Sequence, residues 1–400
     1  MDGAAVVNIL KPVGCKTFGD YAEKIFTSYV KTEFVQACRI DVVWDRYEEN
    51  SLKSQTRETR CTGATLRRKV EKCTPITSKW NEFLRVSENK TELFSLLSQE
   101  ILNVVIAGKE LVTTVGTGVC ANFSRDTSGL APCNHEEADT RIMVHLVDAV
   151  HRGYSKVKIR TVDTDVVVLA ISTCSKLPDG TELWIAFGTG KDFRYIPIHS
   201  IAKALGPVKS LSLPVFHAFT GCDTVSHFAN IGKKTAWKIW ENHNELTAAF
   251  YDLHEAPTVI SDETALALER FTVLLYDRNS EGTSVNEARK VLFTRKGRQM
   301  SSLPPTQASL KKHMRRAVLQ GGFSWGLATV KYQDLPSPAE WGWECPEKWQ
   351  PLWTDLPEAA VSCQELLKCK CRSRCFGCKC AQAELKCTVY CSCRGDCENS

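Results

Sequence analysis

Two groups of residues in this chain have types and spacings suited to chemistry. The first is a run of thiols: of 19 cysteines in 400 residues, ten lie in the last 38, at Cys363, Cys369, Cys371, Cys375, Cys378, Cys380, Cys387, Cys391, Cys393 and Cys397. Thiols spaced C-x-C do not easily bond to each other, but they can present two thiolates to neighbouring metal ions through shared sulfurs. Three separate four-cysteine zinc sites would need twelve ligands. The nine from Cys369 to Cys397 are therefore expected to hold about three Zn²⁺ with some sulfur sharing, and Cys363, six residues upstream, is expected to be dispensable. A reducing compartment favours metal over disulfides for such a cluster.

The second group is acidic. Asp2, Asp45, Glu136, Glu137, Asp139, Asp163, Asp165 and Asp223 stand at the ends of apolar runs or at a helix start. In open parallel sheets the working crevice lies beyond the carboxyl ends of the strands. Carboxylates gathered there repel one another unless divalent cations offset their charge, and two Mg²⁺ or Mn²⁺ ions are the natural solution. Taken singly, each has a structural explanation. Glu137 fits the third helical position of a capping box with Asn134 as N-cap.

Positioning these residues requires an α/β framework. The stretches 37–44 (ACRIDVVW), 155–161 (SKVKIRT) and 182–187 (ELWIAF) read as strands. Between them, Ile142, Leu146, Ala149 and Val150 recur at helical spacing before Gly153, which predicts a helix with one buried face. The apolar signal thins from 256, so 256–362 is expected to be a helical or irregular connecting region with tryptophans 341, 343, 349 and 353 packing it down, and 363–400 a separate cysteine module. A net charge of +5 is too small to argue for nucleic acid by itself. No run of eighteen apolar residues and no signal-peptide pattern is present, so the expected location is nuclear or cytoplasmic, without a membrane partner.

The order of the acidic motifs resembles the flap endonuclease family of PIN-like nucleases over residues 1–255. The matching words are MDGAAVV with Asp2, VVWDRY with Asp45, PCNHEEADTR with Glu137 and Asp139, RTVDTDVVVLA with Asp163 and Asp165, and FTGCDTVSHF with Asp223. The resemblance implies a PIN-like parallel sheet flanked by helices, with those seven carboxylates as Mg²⁺ or Mn²⁺ ligands. Glu136 and Glu137 compete for one role, with Glu137 favoured by its spacing from Asp139. It also implies that the strand delivering Asp2 is truncated here. ANIGKKTAWKIW (229–240) is similar to the family's helix-hairpin-helix segment, implying that Ile231, Gly232, Lys233 and Lys234 hold a nucleic-acid phosphate, with Asn230 at the position of the family's first glycine. Between Lys53 and Lys72, seven basic residues face two acidic ones. There the family places an arch whose cations sit beside the scissile phosphate, a role carried over to Lys53 and Arg60.

The tail from Cys369 resembles one repeat of the tesmin-type CXC domain, including its closing C-x-N at Cys397–Asn399. That implies three zinc ions and DNA binding. Residues 363–400 carry seven Lys or Arg and four Asp or Glu. Nine thiolates with three Zn²⁺ add −3 to this +3, so any phosphate binding must come from one-sided basic residues such as Lys370, Arg372, Arg374 and Lys379. The expected function is metal-dependent phosphodiester hydrolysis of structured or single-stranded nucleic acid, DNA in the first place, aided by the zinc tail. The alternative expectation is a catalytically silent nucleic-acid-binding or scaffolding protein derived from a mobile element.

Overall fold

The computed structural model describes residues 1–400 except 55–56, 58–65, 105, 123, 125, 295–301, 356–368, 372–374, 376, 383–385, 388–390, 398 and 400. The chain forms two compact units, Met1–Pro351 and Leu352–Ser400.

In the first unit, β1 (Arg39–Val42) pairs parallel with β2 (Glu110–Val115), which pairs antiparallel with β3 (Gly118–Ala121). A second sheet repeats the plan: β4 (Lys156–Thr161) runs parallel to β5 (Glu182–Phe187), and β6 (Arg194–Pro197) closes it antiparallel. The amino terminus joins the two sheets. Asp2 bridges in parallel to Val43, Val43 N donates to the Met1 carbonyl at 2.9 Å, and Asp2 N donates to the Arg160 carbonyl at 3.0 Å. Helix α1 (Gly3–Ile9) follows at once, with the Asp2 side chain accepting from Ala5 N as its N-cap. Gly3 is required here: a Cβ would lie 2.3 Å from the Trp44 ring. Trp44 in turn stacks on Phe26 and Phe94 and donates its indole N–H to Thr113 Oγ1 at 3.0 Å.

The sequence-predicted strands appear where periodicity placed them. So does the helix between them, α2 (Ala138–His151), which buries Ile142, Met143 and Leu146 and stops before Gly153 at φ +91°. Each such apolar side chain is worth roughly 1.5–3 kcal/mol. The expected capping box is absent, because Glu137 itself occupies the N-cap position of α2. Asn134 clamps a distant loop instead, donating to the Gln333 carbonyl and accepting from Gln333 N.

Helix α3 (Thr164–Cys174) leaves β4 directly, capped by Asp163. After β6 come α4 (Ile198–Leu205), α5 (Pro207–Phe219), α6 (Lys233–Asn242) and α7 (Glu245–His254). The region from 256 is more helical and better packed than its thin apolar signal suggests. Helices α8 (Asp262–Tyr276), α9 (Val285–Thr294) and α10 (Gln307–Ala317) send Leu268, Phe271, Val285, Leu310 and Met314 into the same core as α2, α3 and α5. Glu269 ties them together, accepting from Val285 N and from the Gln307 side chain at 2.9 Å each. Trp341 and Trp343 are buried in that core, whereas Trp353, beyond the first unit, is 57% exposed. Among the described residues no helix is long and apolar enough to cross a membrane.

Candidate metal centres

Successive parallel strands place their last residues at one edge, and the acidic residues follow from that placement. Asp45 lies three residues beyond β1, Asp2 on the bridge between the sheets, Asp163 and Asp165 just after β4, and Glu137 and Asp139 at the start of α2. Asp45 Oδ1 accepts from Ala138 N at 2.9 Å, which anchors the amino end of α2 to the end of β1. Asp2 Oδ2 accepts from Thr161 Oγ1 at 3.1 Å, and Asp163 accepts from Asp165 N at 2.8 Å. Ligand oxygens of Asp139, Asp163 and Asp165 lie within 4.8 Å of one another.

Lys53 and His217 put positive charge among these acids. Lys53 Nζ lies 2.5 Å from Glu137 Oε1 and 3.5 Å from Asp223 Oδ2, and His217 Nε2 lies 2.8 Å from Asp165 Oδ1. The titration behaviour reflects the crowding. Burial first, and then Asp45, pushes the Asp2 carboxyl up to about 6. Burial followed by Glu137, Asp163, Asp2 and Asp45 holds Asp139 well above the usual carboxylate range. Asp165 goes the other way: burial opposes its charge, but the hydrogen bond to His217 and the field of Lys53 outweigh it. Burial likewise opposes the Lys53 charge, and Glu137 and Asp223 more than reverse that.

The adjacent glutamates separate cleanly. Glu137 faces the carboxylate group through Lys53, while Glu136 is taken by Arg57 at 2.5 Å and Ser51 Oγ at 2.7 Å. Arg60 lies outside the described residues. Further along the basic stretch, Arg67 pairs with Glu92, Lys69 with Glu71 and Lys72 with Glu100. His135 is buried against the Val330 carbonyl at 2.7 Å, and burial lowers it to about 4.

At the start of α6, Asn230 has φ +61° and so adopts the left-handed conformation that a glycine would supply. Gly232 is the N-cap residue and Lys234 is exposed, but Ile231 is half-buried against the core. Lys233 does not face outward. Its Nζ donates to the carbonyls of His217 (2.7 Å) and Gly221 (2.6 Å) and to Thr220 Oγ1 (3.0 Å), closing the carboxyl end of α5. Burial lowers its ammonium to about 8. Of the four residues expected to hold phosphate, Lys233 is thus committed to holding α5. Sequence reasoning also missed His217, Thr161 and Tyr47, whose hydroxyl donates to Asp45 Oδ2 at 3.3 Å. The visible signal for His217 was a single polar residue inside the apolar run LPVFHAF.

In the second unit, all nine cysteines from Cys369 to Cys397 belong to overlapping groups of four whose sulfurs lie within 4.8 Å: Cys369, Cys387, Cys391 and Cys393; Cys369, Cys378, Cys380 and Cys387; Cys369, Cys371, Cys375 and Cys378; and Cys375, Cys387, Cys393 and Cys397. Sulfur pairs stand 3.6 Å apart (Cys380–Cys391), 3.8 Å (Cys369–Cys387) and 4.0 Å (Cys369–Cys375, Cys378–Cys387). These are far beyond a disulfide bond. They match the edge of a tetrahedron of thiolates at the zinc–sulfur distance of about 2.3 Å, which is roughly 3.8 Å. Cys369 and Cys387 each join three groups, which marks them as the sulfurs best placed for sharing. Backbone N–H groups of Ala381 and Cys369 point at the sulfurs of Cys378 and Cys391 at 3.5 Å. Asn399 fastens Cys387 twice, through its carbonyl to Cys387 N and its side chain to the sulfur. The cluster is compatible with zinc, and Cys363 lies outside the described residues.

No family model matches the chain, and neither a curated protein nor a solved structure is significantly similar to it.

Proposed function

We propose that the chain is a metal-dependent nuclease of the flap-endonuclease type, hydrolysing phosphodiesters in structured or single-stranded DNA, with a zinc-held tail that aids binding. The observation that supports the reading is the approach of the Asp139, Asp163 and Asp165 oxygens to within 4.8 Å of one another, with Lys53 paired to Glu137 and Asp223 nearby. A stable fold has no use for that much mutual repulsion. Burial and neighbouring acids hold Asp139 far above its usual range, which is the behaviour of a site short of positive charge. Two Mg²⁺ or Mn²⁺ ions would be held by these carboxylates and would activate water and stabilise the leaving oxygen.

The chain's own residues do the positioning. Thr161, Ala138 and His217 fix the oxygens of Asp2, Asp45 and Asp165, so few rotamers remain to be lost when a cation binds. Lys53, already among the carboxylates, is placed to balance charge on a phosphate that approaches Glu137 and Asp223. Lys234 and the backbone at the start of α6 would offer a second phosphate contact, with Lys233 holding the preceding turn. In the tail, about three Zn²⁺ replace the core that so short a segment lacks.

The test is cleavage of a labelled flapped duplex by the purified chain in Mg²⁺ or Mn²⁺, with an Asp163→Ala, Asp165→Ala double variant as control. Cleavage that needs metal and disappears in the variant supports the reading. Folded, metal-loaded protein that is inert on flap, gap and single-stranded substrates overturns it and leaves the silent binding protein.

A further inference from the structure

Lys53 does not stand apart from the acidic group as a residue waiting for a phosphate would. Its side chain is only 12% exposed, and its ammonium lies between Glu137 Oε1 at 2.5 Å and Asp223 Oδ2 at 3.5 Å. Those two carboxylates come from different parts of the chain, one at the start of α2 and one in the loop after α5, so a single charge ties them together. The segment carrying Lys53 is fastened on both sides of it, because Ser51 Oγ donates to the Glu136 carboxylate and Arg57 pairs with it.

The rest of the group is arranged differently. Asp139, Asp163 and Asp165 bring their oxygens within 4.8 Å of one another, and among the described residues no lysine or arginine pairs with any of the three. Asp165 has His217, whereas the Asp139 carboxylate accepts no hydrogen bond among the described residues. An ammonium and a divalent ion compete for the same carboxylate lone pairs, the first at about 2.7–2.9 Å from the oxygen and Mg²⁺ at about 2.0–2.1 Å. One half of the group is thus open to a cation, and the other half already holds one.

We propose that the Lys53 ammonium is the resident occupant of one of two cation positions, so that divalent ions load in a fixed sequence; the inference rests on the metal-centre reading above. Asp139, Asp163 and Asp165 accept the first ion with Lys53 in place. Glu137 and Asp223 accept the second only when the ammonium leaves. Because Ser51 and Arg57 anchor the chain on either side, Lys53 withdraws by rotation of its flexible four-carbon stem, without movement of the segment. The displaced ammonium stays tethered beside the group and becomes free to meet a phosphate. Loading of the second ion and delivery of the Lys53 charge are then one event.

The test counts Mn²⁺ bound to the full chain, its cysteine tail loaded with zinc, from the paramagnetic resonance signal of the free ion. Wild type is expected to bind one Mn²⁺ about tenfold or more tightly than the next, since the second meets a positive charge at close range. Lys53→Met and Lys53→Gln are each expected to tighten the second ion about tenfold, and by more than the first. The Asp163→Ala, Asp165→Ala double variant is expected to lose the tight ion. A second measurement needs no substitution: acetylation of the Lys53 amine in wild type, read by peptide mass spectrometry, is expected to be slow with no ion or one ion bound and to accelerate severalfold when the second loads. Two ions of equal affinity in wild type, unchanged by either Lys53 substitution and with Lys53 equally reactive throughout, would overturn the sequential loading and leave the metal centre standing. No Mn²⁺ bound to any of these chains would overturn the metal centre and this inference with it.

Discussion

Replacing Asp2 with asparagine isolates the electrostatic strain in the acidic group. Asn is as good an N-cap as Asp, so its oxygen retains the bond from Ala5 N, and its amide can donate to Thr161 Oγ1 where the carboxylate accepted. What changes is the charge. The folded carboxyl titrates near 6 against an ordinary 3.8, a rise of 6 − 3.8, or about 2 units, caused by burial and then by Asp45. At about 1.4 kcal/mol per unit this is roughly 3 kcal/mol of stability withheld at neutral pH. The native state keeps its proton between about 3.8 and 6 while the unfolded chain has released it. Stability therefore falls as pH rises through that window, and the full penalty applies above it. Asp2→Asn is expected to be more stable than wild type by about 1–3 kcal/mol at pH 7.5, with the gap closing near pH 4. Urea unfolding followed by tryptophan fluorescence in buffer free of divalent ions reads this directly. Adding Mg²⁺ is expected to raise the wild-type midpoint more than the variant's. A variant less stable than wild type at pH 7.5, or a gap independent of pH, would refute the reasoning.

Asp165→Asn should leave circular dichroism unchanged and reduce metal-dependent cleavage by more than the about 10–100-fold that loss of an outer contact costs; His217→Gln should fall within that smaller range. Native mass spectrometry of the full chain should find about three zinc ions, and Cys380→Ser should release metal; one zinc or none, or disulfides under reducing conditions, would show the cluster misread. Lys233→Met should lower stability by about 2–4 kcal/mol, because three acceptors at the end of α5 lose their donor, while leaving the salt dependence of DNA binding unchanged. Lys234→Ala should do the reverse, which filter binding across a salt series would check. Asn230→Gly should stabilise by about 0.5–1 kcal/mol in a thermal melt, since Asn holds φ +61° at some cost.

What was legible in the sequence was periodic or clustered. The strands at 39–42, 156–161 and 182–187 announced themselves by β-branched runs, and α2 by its buried stripe. The cysteine module was legible from spacing alone, because ligand geometry at short range leaves few arrangements. What was not legible depended on partners distant in the chain. Asn134 looked like a cap and instead holds Gln333, a contact 199 residues away that no local pattern encodes. Lys233 sat in a motif whose lysines read as phosphate ligands, yet the carboxyl end of α5 presents a nearer set of oxygens. The packing of 262–317 was hidden because its apolar residues are diluted by a charged outer face: α10 buries Leu310 and Met314 within a sequence rich in lysine and arginine.

The buried network of Arg39, Asp41, His145 and Asp148 makes the same point about placement. Arg39 reaches Asp41 and Asp148 at 2.7 Å each, and His145 reaches Asp41 at 2.6 Å. Against the burial that would raise it, the His145 and Arg39 contacts hold the Asp41 carboxyl well below its usual range, and burial keeps His145 from charging easily. This network sits at the opposite end of β1 from Asp45. Met1 and Asp2 lie between the two ends. Their few backbone bonds to Asp41, Val43 and Arg160 fix where the Asp2 carboxylate stands, so the network and the acidic group are held in register by two residues of extended chain.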